Sequence, residues 1–171
     1  MKKLFLLRHA KSDWSTGIGD HDRTINKRGK KAARAMGAYM AERQFDPDLV
    51  LCSSAKRAQE TLKNVMKGAD ANWQVKVKDS LYLAEAAELI GIVAKKGGEN
   101  ESVMLVGHNP GFHFLAMLLA GRAPDDMRAR LSQKYPTCTL AGLQFDMEDW
   151  QGLEPRGGEL FELMSPKRLN F

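Results

Sequence analysis

Short apolar runs that alternate with helical stretches restrict the fold of this chain more than any other feature of its sequence. Residues 4–7 and 49–52 form continuous apolar runs and 102–106 a nearly continuous one, which is typical of strands buried on both faces. Val75 and Val77 alternate with charged residues and predict a further strand. Apolar residues recur at helical spacing after these runs, which predicts helices over 26–44, 55–67, 85–96 and 110–120.

Two more strands, 137–145 and 159–164, are predicted near the end of the chain and are joined by a glycine-rich loop. Strands and helices in this order predict the α/β fold class, as a three-layer α/β/α sandwich around a mainly parallel sheet. No linker, repeat or low-complexity tract interrupts the pattern. Residues 1–171 are therefore expected to form a single domain.

The charge and cysteine content exclude several classes of protein. The 26 lysines and arginines outnumber the 21 aspartates and glutamates, and the net charge of +5 mildly favours anionic ligands. Without a block of like charges or a nucleic-acid-binding motif, no nucleic-acid partner is expected. Cys52 and Cys138 belong to no metal or redox motif and are expected to be buried free thiols. The first apolar stretch is too short for a signal peptide or a membrane span, which predicts a cytoplasmic protein with no membrane partner.

Polar residues follow three of the predicted strands at the point where each strand ends. Arg8 and His9 follow the first strand, Arg57 lies shortly after the second, and His108 follows the fourth. Because the carboxyl ends of parallel strands meet at one edge of a sheet, these side chains are expected to converge. Guanidinium groups donate forked hydrogen bonds to phosphoryl oxygens, and helix N-termini add free N–H groups. The sequence therefore predicts a phosphate-binding site.

Each of these four residues alone also fits a solvated or structural role, and their convergence is what favours a site. Outside this group, His113 lies on an apolar helix and is expected in the core or in an interface. His21 and Asp22 have no further residue spaced to complete a metal site. Trp14 fits either the mouth of the predicted site or simple packing.

Three segments of the chain resemble the motifs of one known family. The apolar strand followed by Arg8-His9-Ala10 is similar to a motif ending in Arg-His-Gly, with alanine in place of glycine. Residues 53–61 match a Ser-x-x-x-Arg-Ala-x-x-Thr motif, and Gly107-His108 matches a late Gly-His pair. The chain thereby resembles the histidine phosphatase superfamily, also called phosphoglycerate-mutase-like. Its short length and the segments 22–29 and 158–166 are most similar to the small bacterial phosphohistidine phosphatases.

The resemblance implies a three-layer α/β/α fold and a metal-independent phosphatase without a cofactor. His9 takes the role of the nucleophile, which carries the phosphoryl group covalently before water removes it. Arg8, Arg57 and His108 take the role of a clamp on the phosphoryl oxygens. Asn109, which also suits the cap of the helix that follows it, is expected to join in phosphate binding. The implied partners are a phosphorylated protein or a small phosphorylated substrate.

The acid that protonates the leaving group is the part of the family pattern that this chain lacks. Many members carry a glutamate in the loop after the third strand, where this chain has Asp79 and Glu85 outside any motif. Another branch has an aspartate after the second histidine, where this chain has Asn109. An alkoxide leaving group needs a proton whereas imidazole leaves readily, so these departures favour a phosphoramidate substrate. Glu85 also suits the start of a helix, where a carboxylate is favourable next to the dipole.

We therefore expect a phosphohistidine phosphatase that acts on a phosphorylated histidine protein, such as a signalling relay domain, through a covalent phospho-His9 intermediate. The first alternative is a broad-specificity phosphatase of small phosphate monoesters, in which Glu85 or Asp79 reaches the leaving group. The second alternative is a phosphoprotein-binding module with weak turnover. Mutase activity is not expected, because the chain lacks the extra segments that mutases carry over the pocket.

Overall fold

A seven-stranded sheet lies between two layers of helices in the computed structural model, which describes residues 1–15 and 17–171. The strands are β1 Lys2–Arg8, β2 Leu49–Ser53, β3 Val75–Lys78, β4 Ser102–Gly107, β5 Ala120–Arg122, β6 Leu140–Phe145 and β7 Gly158–Met164. The helices are α1 Lys27–Glu42, α2 Lys56–Ala69, α3 Ala86–Lys96, α4 Gly111–Leu119, α5 Asp125–Gln133 and the short α6 Pro166–Leu169. Short 3₁₀ turns lie at Asp20–Asp22, Asp79–Leu81 and Trp150–Gly152.

The strand order β3-β2-β4-β1-β6-β7-β5 places β1 and β4 side by side at the centre of the sheet. β6 runs antiparallel to both of its neighbours, and the other pairings are parallel. The mainly parallel sheet expected from the sequence is therefore confirmed. β1 and β4 pair so that Arg8 lies opposite Gly107, and the residues that follow the two strands leave the sheet together.

Alternate residues of β1 face the two helical layers, as expected for a strand buried on both faces. Leu4 joins the core on the side of α3, α4 and α5, whereas Phe5 joins the core on the side of α1 and α2. The close packing of α1 on α2 requires a glycine, because a Cβ added to Gly37 would lie 1.9 Å from the carbonyl oxygen of Val65. A larger residue at this position would separate the two helices.

The segment between α4 and β6 contains two elements that the sequence did not predict. The helix expected to reach Ala120 ends at Leu119, and β5 begins at the next residue. β5 has three residues and α5 buries only Leu131, so neither shows the apolar periodicity that identified the other elements. β6 begins at Leu140 rather than at 137, because Cys138 has a φ of 59°, which is incompatible with extended strand backbone.

Both cysteines are buried, and no described helix is suited to span a membrane. Cys52 lies in β2 and Cys138 in the turn before β6, and both are free thiols as the sequence predicts. Burial raises the pKa of each thiol to about 12, so both stay protonated at neutral pH. Among the helices in the described part of the chain, none is both long and apolar enough to cross a bilayer.

Candidate active site

The carboxyl ends of β1, β2 and β4 meet at one edge of the sheet, as the alternating pattern predicts. The His9 N–H donates to the Gly107 carbonyl (2.9 Å), and the Cys138 N–H donates to the His9 carbonyl (2.9 Å). These two bonds fix the backbone of His9 where it leaves β1. A cavity of about 410 Å³ opens at this point, and its lining includes five of the predicted site residues: Arg8, His9, Arg57, His108 and Asn109.

The imidazole of His9 is held in one tautomer. Its Nδ1 lies 2.8 Å from the carbonyl oxygen of Ala10, and because a carbonyl only accepts, Nδ1 must carry the proton. Nε2 is therefore left with a free lone pair. Thr61 holds the same loop on α2: its Oγ1 accepts from the Ala10 N–H (2.8 Å) and donates to the Arg57 carbonyl (2.7 Å). The nucleophile candidate and the arginine candidate are thus connected through one buried hydroxyl.

The surroundings of His9 keep its ring neutral. Only 7% of the residue is exposed, and this burial is the largest cause that lowers its pKa from 6.5 to about 4. The hydrogen bond to Ala10 opposes the shift, whereas the charges of Arg8, Arg57 and Arg23 add to it. At pH 7 the ring is therefore a neutral imidazole, with a proton on Nδ1 and none on Nε2, and this is the form that can attack phosphorus.

His108 lies beside His9, with 5.3 Å between the ring centroids. Its Nε2 is 2.8 Å from the Ser53 hydroxyl, which also accepts from the Ala55 N–H at 3.2 Å. The Nδ1 atom is buried and has no hydrogen-bond partner within the described residues. Burial is the largest cause that lowers the pKa of His108 to about 3, followed by the repulsion that a protonated His9 would exert on a second charged ring. The two rings are thus both neutral, and Ser53 fixes the orientation of the second one.

We expect His9 and His108 to titrate near pH 4 or below rather than near 6.5, because burial and the nearby arginines disfavour the charged ring. Protonation removes the lone pair of His9, so activity should be lost as the pH falls through about 4 and should persist at pH 6. The check is an NMR titration of the histidine ring protons, with His9→Ala and His108→Ala used for assignment. Midpoints near 6.5 for both rings would show that the site does not hold them neutral.

Three guanidinium groups line the same cavity as the two imidazoles. Arg8 Nη1 donates to the Tyr135 carbonyl at 2.9 Å. Arg57 is 3% exposed and donates from Nη1 to the Asp20 carbonyl (2.6 Å) and from Nη2 to Asp20 Oδ2 (3.1 Å). Arg23 donates from Nη2 to Asp20 Oδ1 at 2.9 Å. The Nε atoms of all three arginines are buried and unpaired among the described residues, which leaves donors for an anion.

Asp20 ties two of these arginines together from the 3₁₀ turn that follows the first loop. Its carboxylate accepts hydrogen bonds from the Tyr82 hydroxyl, Arg23 and Arg57. The bond from Tyr82 is the largest cause that holds the pKa of Asp20 well below its usual range, followed by the bond from Arg23. Asp20 is therefore ionised at neutral pH. Its role in this geometry is to orient guanidinium groups rather than to donate a proton.

Asn109 lines the cavity but does not cap α4 as the sequence suggested. The N-cap position is Pro110, and Asn109 instead donates from Nδ2 to the Tyr135 carbonyl at 2.9 Å. That carbonyl also accepts from Arg8, so Tyr135 aligns two residues of the cavity. Tyr135 itself is anchored in the core, where its hydroxyl donates to the Leu6 carbonyl at 2.6 Å. Phosphate binding by Asn109 stays a prediction.

Several residues around the cavity were not predicted from the sequence as site residues. Arg23 lies in the segment 22–29 that carries the family resemblance, and that position was the signal that could have found it. Ser53 is the first residue of the motif in residues 53–61, which was the signal for it. Asp20 and Tyr82 act through a contact between distant segments, and no local pattern marks them. Trp14 lines the mouth of the cavity and stacks on the Arg23 guanidinium at 3.6 Å from the ring centroid, which favours the first of its two expected roles.

The two carboxylates considered as the acid lie outside the lining of the cavity. Glu85 is exposed at the N-cap position of α3, and its N–H donates to Glu88 Oε1 at 3.1 Å. Asp79 is also exposed and begins a 3₁₀ turn. Glu85 thus has the structural role that the sequence allowed, at the start of a helix.

The histidines outside the cavity have structural partners. His113 is half-buried and its Nε2 donates to the Leu131 carbonyl at 2.6 Å, as expected for a packing residue. His21 Nε2 lies 2.9 Å from the Ser54 hydroxyl. Across residues 1–15 and 17–171, no three His, Cys, Asp or Glu side chains are grouped as metal ligands would be.

The fold and the cavity together define an α/β sandwich with a cavity lined by cationic side chains at its strand ends. The family model of the histidine phosphatase superfamily (branch 1) matches residues 4–82. An uncharacterised protein of Mycobacterium tuberculosis is 34% identical over 151 residues, which cover 87% of this chain and 92% of that protein. The chain belongs to the histidine phosphatase superfamily.

Solved structures support the same assignment. A protein assigned as the phosphohistidine phosphatase SixA of Agrobacterium tumefaciens is 29% identical, with a TM-score of 0.80 and coverage of 96% of this chain and 98% of that chain. A second protein so assigned, from Nakamurella multipartitia, is 26% identical, with a TM-score of 0.83 and coverage of 96% of each chain. The phosphoglycerate-mutase-like fold is thereby confirmed, and the family and these neighbours support a phosphatase hydrolase.

Proposed function

We propose that the protein is a phosphohistidine phosphatase, which transfers the phosphoryl group of a phosphorylated histidine protein to His9 and then to water. The observation that carries the proposal is the free lone pair of His9 Nε2 in a cavity lined by arginines. A neutral imidazole is nucleophilic near pH 7, and fixed guanidinium groups stabilise charge on the phosphoryl oxygens. The activity assigned to the two structural neighbours supports this substrate class.

The proposed reaction consists of two displacements at phosphorus. In the first, a bond forms from His9 Nε2 to phosphorus while the P–N bond of the substrate breaks, and the released imidazole takes a proton from water. In the second, water attacks the phosphorus of phospho-His9 and gives up a proton to solvent, and the His9 ring leaves with its lone pair. Arg8, Arg57 and His108 orient the phosphoryl oxygens in both steps. The products are a free histidine side chain and inorganic phosphate.

The positions of the carboxylates near the cavity favour phosphohistidine over alkyl phosphates as the substrate. No Asp or Glu side chain is among the described residues that line the cavity. Asp20 contacts Arg57 nearby, but its hydrogen bonds hold its pKa well below the usual range, so it is a poor proton donor. An alkoxide needs a proton to leave, whereas an imidazole leaves readily. Such a site therefore suits a P–N bond better than an alkyl P–O bond.

Turnover of a phosphohistidine peptide and of alkyl and aryl monoesters, measured side by side, tests this proposal. We expect kcat/KM for the phosphohistidine peptide to exceed that for alkyl phosphates by about 100-fold or more, because the described residues that line the cavity include no carboxylic acid to protonate an alkoxide. Aryl phosphates, which have better leaving groups, should fall between the two. Alkyl phosphates turned over as fast as the peptide would favour the alternative, a broad-specificity monoester phosphatase.

The Glu85→Gln variant tests whether Glu85 is the acid that a broad-specificity monoester phosphatase would need and a phosphohistidine phosphatase would not. Since Glu85 lies at a helix start outside the cavity lining, the change should alter kcat/KM by no more than about twofold on every substrate. Glu88→Gln, in the same turn, is the matched control for the loss of charge. A loss of about 100-fold on alkyl phosphates that shrinks as the leaving group improves would identify Glu85 as the acid.

A further inference from the structure

A second hollow opens beside the active-site cavity and shares two lining residues with it. Its volume is about 650 Å³, and Lys11 and Thr137 line both spaces. The walls come from the start of α1, the end of α5 with the turn after it, and α6. We call this hollow the basic groove, because five cationic side chains line it: Lys11, Arg28, Lys31, Lys134 and Lys167.

The positive charge of the basic groove is not compensated within the described part of the chain. All five cationic side chains are exposed, and none takes part in a salt bridge among the described residues. The described residues that line the groove include no Asp or Glu. Arginines elsewhere on the surface, such as Arg43 and Arg130, do have carboxylate partners. Uncompensated charges of one sign in a concave wall attract an oppositely charged ligand.

Part of the rim of the active-site cavity is apolar and exposed. Trp14 and Leu83 line the cavity mouth, although their exposed fractions are 77% and 53%. Leu83 also has a φ of 55°, a backbone region that leucine rarely adopts, so the turn holds this side chain outward at a cost in strain. A small phosphorylated molecule inside the cavity would leave both side chains in water. Contact with a larger partner surface would cover them.

We infer that the basic groove docks an acidic segment of the protein whose phosphorylated side chain enters the cavity. This inference rests on the proposed function and deepens it by naming the kind of substrate. The phosphoryl group would bind to the arginines around His9. Carboxylates of the neighbouring substrate residues would then form ion pairs with Arg28, Lys31 and Lys167. Because these cations are exposed, the attraction is screened by salt and changes substrate capture more than chemistry.

The probes for this inference are two chemically phosphorylated histidine peptides and phosphoramidate itself. One peptide carries a run of aspartates beside the phosphohistidine, and the other carries serines at the same positions. Wild-type protein should favour the aspartate peptide by about tenfold or more in kcat/KM at low salt, through KM. The preference should shrink at about 0.5 M salt, where the Debye length is only about 4 Å.

The double variant Arg28→Glu, Lys31→Glu should remove the preference and leave hydrolysis of phosphoramidate unchanged. Both positions lie at the N-terminal end of α1, where glutamate is favourable for the helix, so the variant is expected to fold. Lys63→Glu, Lys76→Glu is the control, since it changes the net charge equally at exposed sites on α2 and β3, outside the groove. The control should keep the wild-type preference.

Equal turnover of the two peptides, or a preference that survives in the double variant, would overturn the docking inference while the phosphatase proposal stands. Inhibition by single-stranded DNA that is stronger than inhibition by the unphosphorylated aspartate peptide would also overturn it, in favour of a nucleic-acid ligand. If wild-type protein hydrolyses none of the three probes (the two phosphohistidine peptides and phosphoramidate), both the docking inference and the phosphatase proposal are overturned.

Discussion

His9→Ala should lower turnover of a phosphohistidine substrate by about 10⁴-fold or more. The reason is that the variant lacks the group proposed to form the covalent intermediate, while the arginines proposed to bind the phosphoryl group are still present. Among the described residues, alanine also removes one side-chain hydrogen bond, from Nδ1 to the Ala10 carbonyl, so the fold should be retained. Rapid-mixing and steady-state assays measure the rate, and circular dichroism with thermal unfolding checks the fold.

His113→Ala is the matched control for this loss. His113 also donates one hydrogen bond to a main-chain carbonyl, that of Leu131, but it lies outside the cavity lining. This variant should keep its rate within about twofold, whatever its effect on stability. Substantial activity in a folded His9→Ala protein would remove His9 from the mechanism.

Arg57→Lys should lower kcat/KM by about tenfold or more even though the charge is kept. In the structure both Nη atoms of Arg57 bond to Asp20, and its Nε is buried with no partner among the described residues. A guanidinium can hold Asp20 and a phosphoryl oxygen at the same time because its donors are fixed in one plane. A lysine has a single ammonium group and loses one of the two contacts.

Arg43→Lys is the control for Arg57→Lys. Arg43 is an exposed arginine that makes one long salt bridge to Glu162 (3.7 Å), so its replacement should leave kcat/KM unchanged. Double substitution of Arg57→Lys with Asp20→Asn adds a second readout. If Asp20 serves to orient Arg57, the double variant should lose little more than Arg57→Lys alone. Wild-type kinetics in Arg57→Lys would make Arg57 an ordinary structural residue.

The central part of the fold and the core of the site follow from the sequence because both depend on local patterns. Apolar runs predict β1, β2 and β4, and the alternation with helices predicts that they lie in a mainly parallel sheet, as they do. His9 and His108 are far apart in the chain, yet they meet because each follows a strand of the same sheet. The end of a buried strand can thus be located from the sequence, because the apolar run stops there.

Other features depend on contacts that no local pattern encodes. The tautomer of His9 is set by the Ala10 carbonyl, and the N–H of Ala10 donates to Thr61 Oγ1 on α2, 51 residues away in the chain. Asp20 reaches Arg57 and Tyr82 because the 3₁₀ turn around it folds back over α2. β5 was missed because a strand of three residues is too short to show a period.

Trapping of the covalent intermediate tests the central claim most directly. Wild-type protein is mixed with a substrate labelled in its phosphoryl group, quenched within milliseconds in alkali, digested and analysed by mass spectrometry. A phosphohistidine is stable in alkali and labile in acid, so the label should survive the quench, lie on the peptide that contains His9 and disappear after brief acid treatment. The His108→Ala variant keeps His9 and loses one of the side chains proposed to contact the phosphoryl oxygens, so His9 should still be labelled in it. Turnover without label on His9 at any quench time, or label on a different residue, would contradict the account.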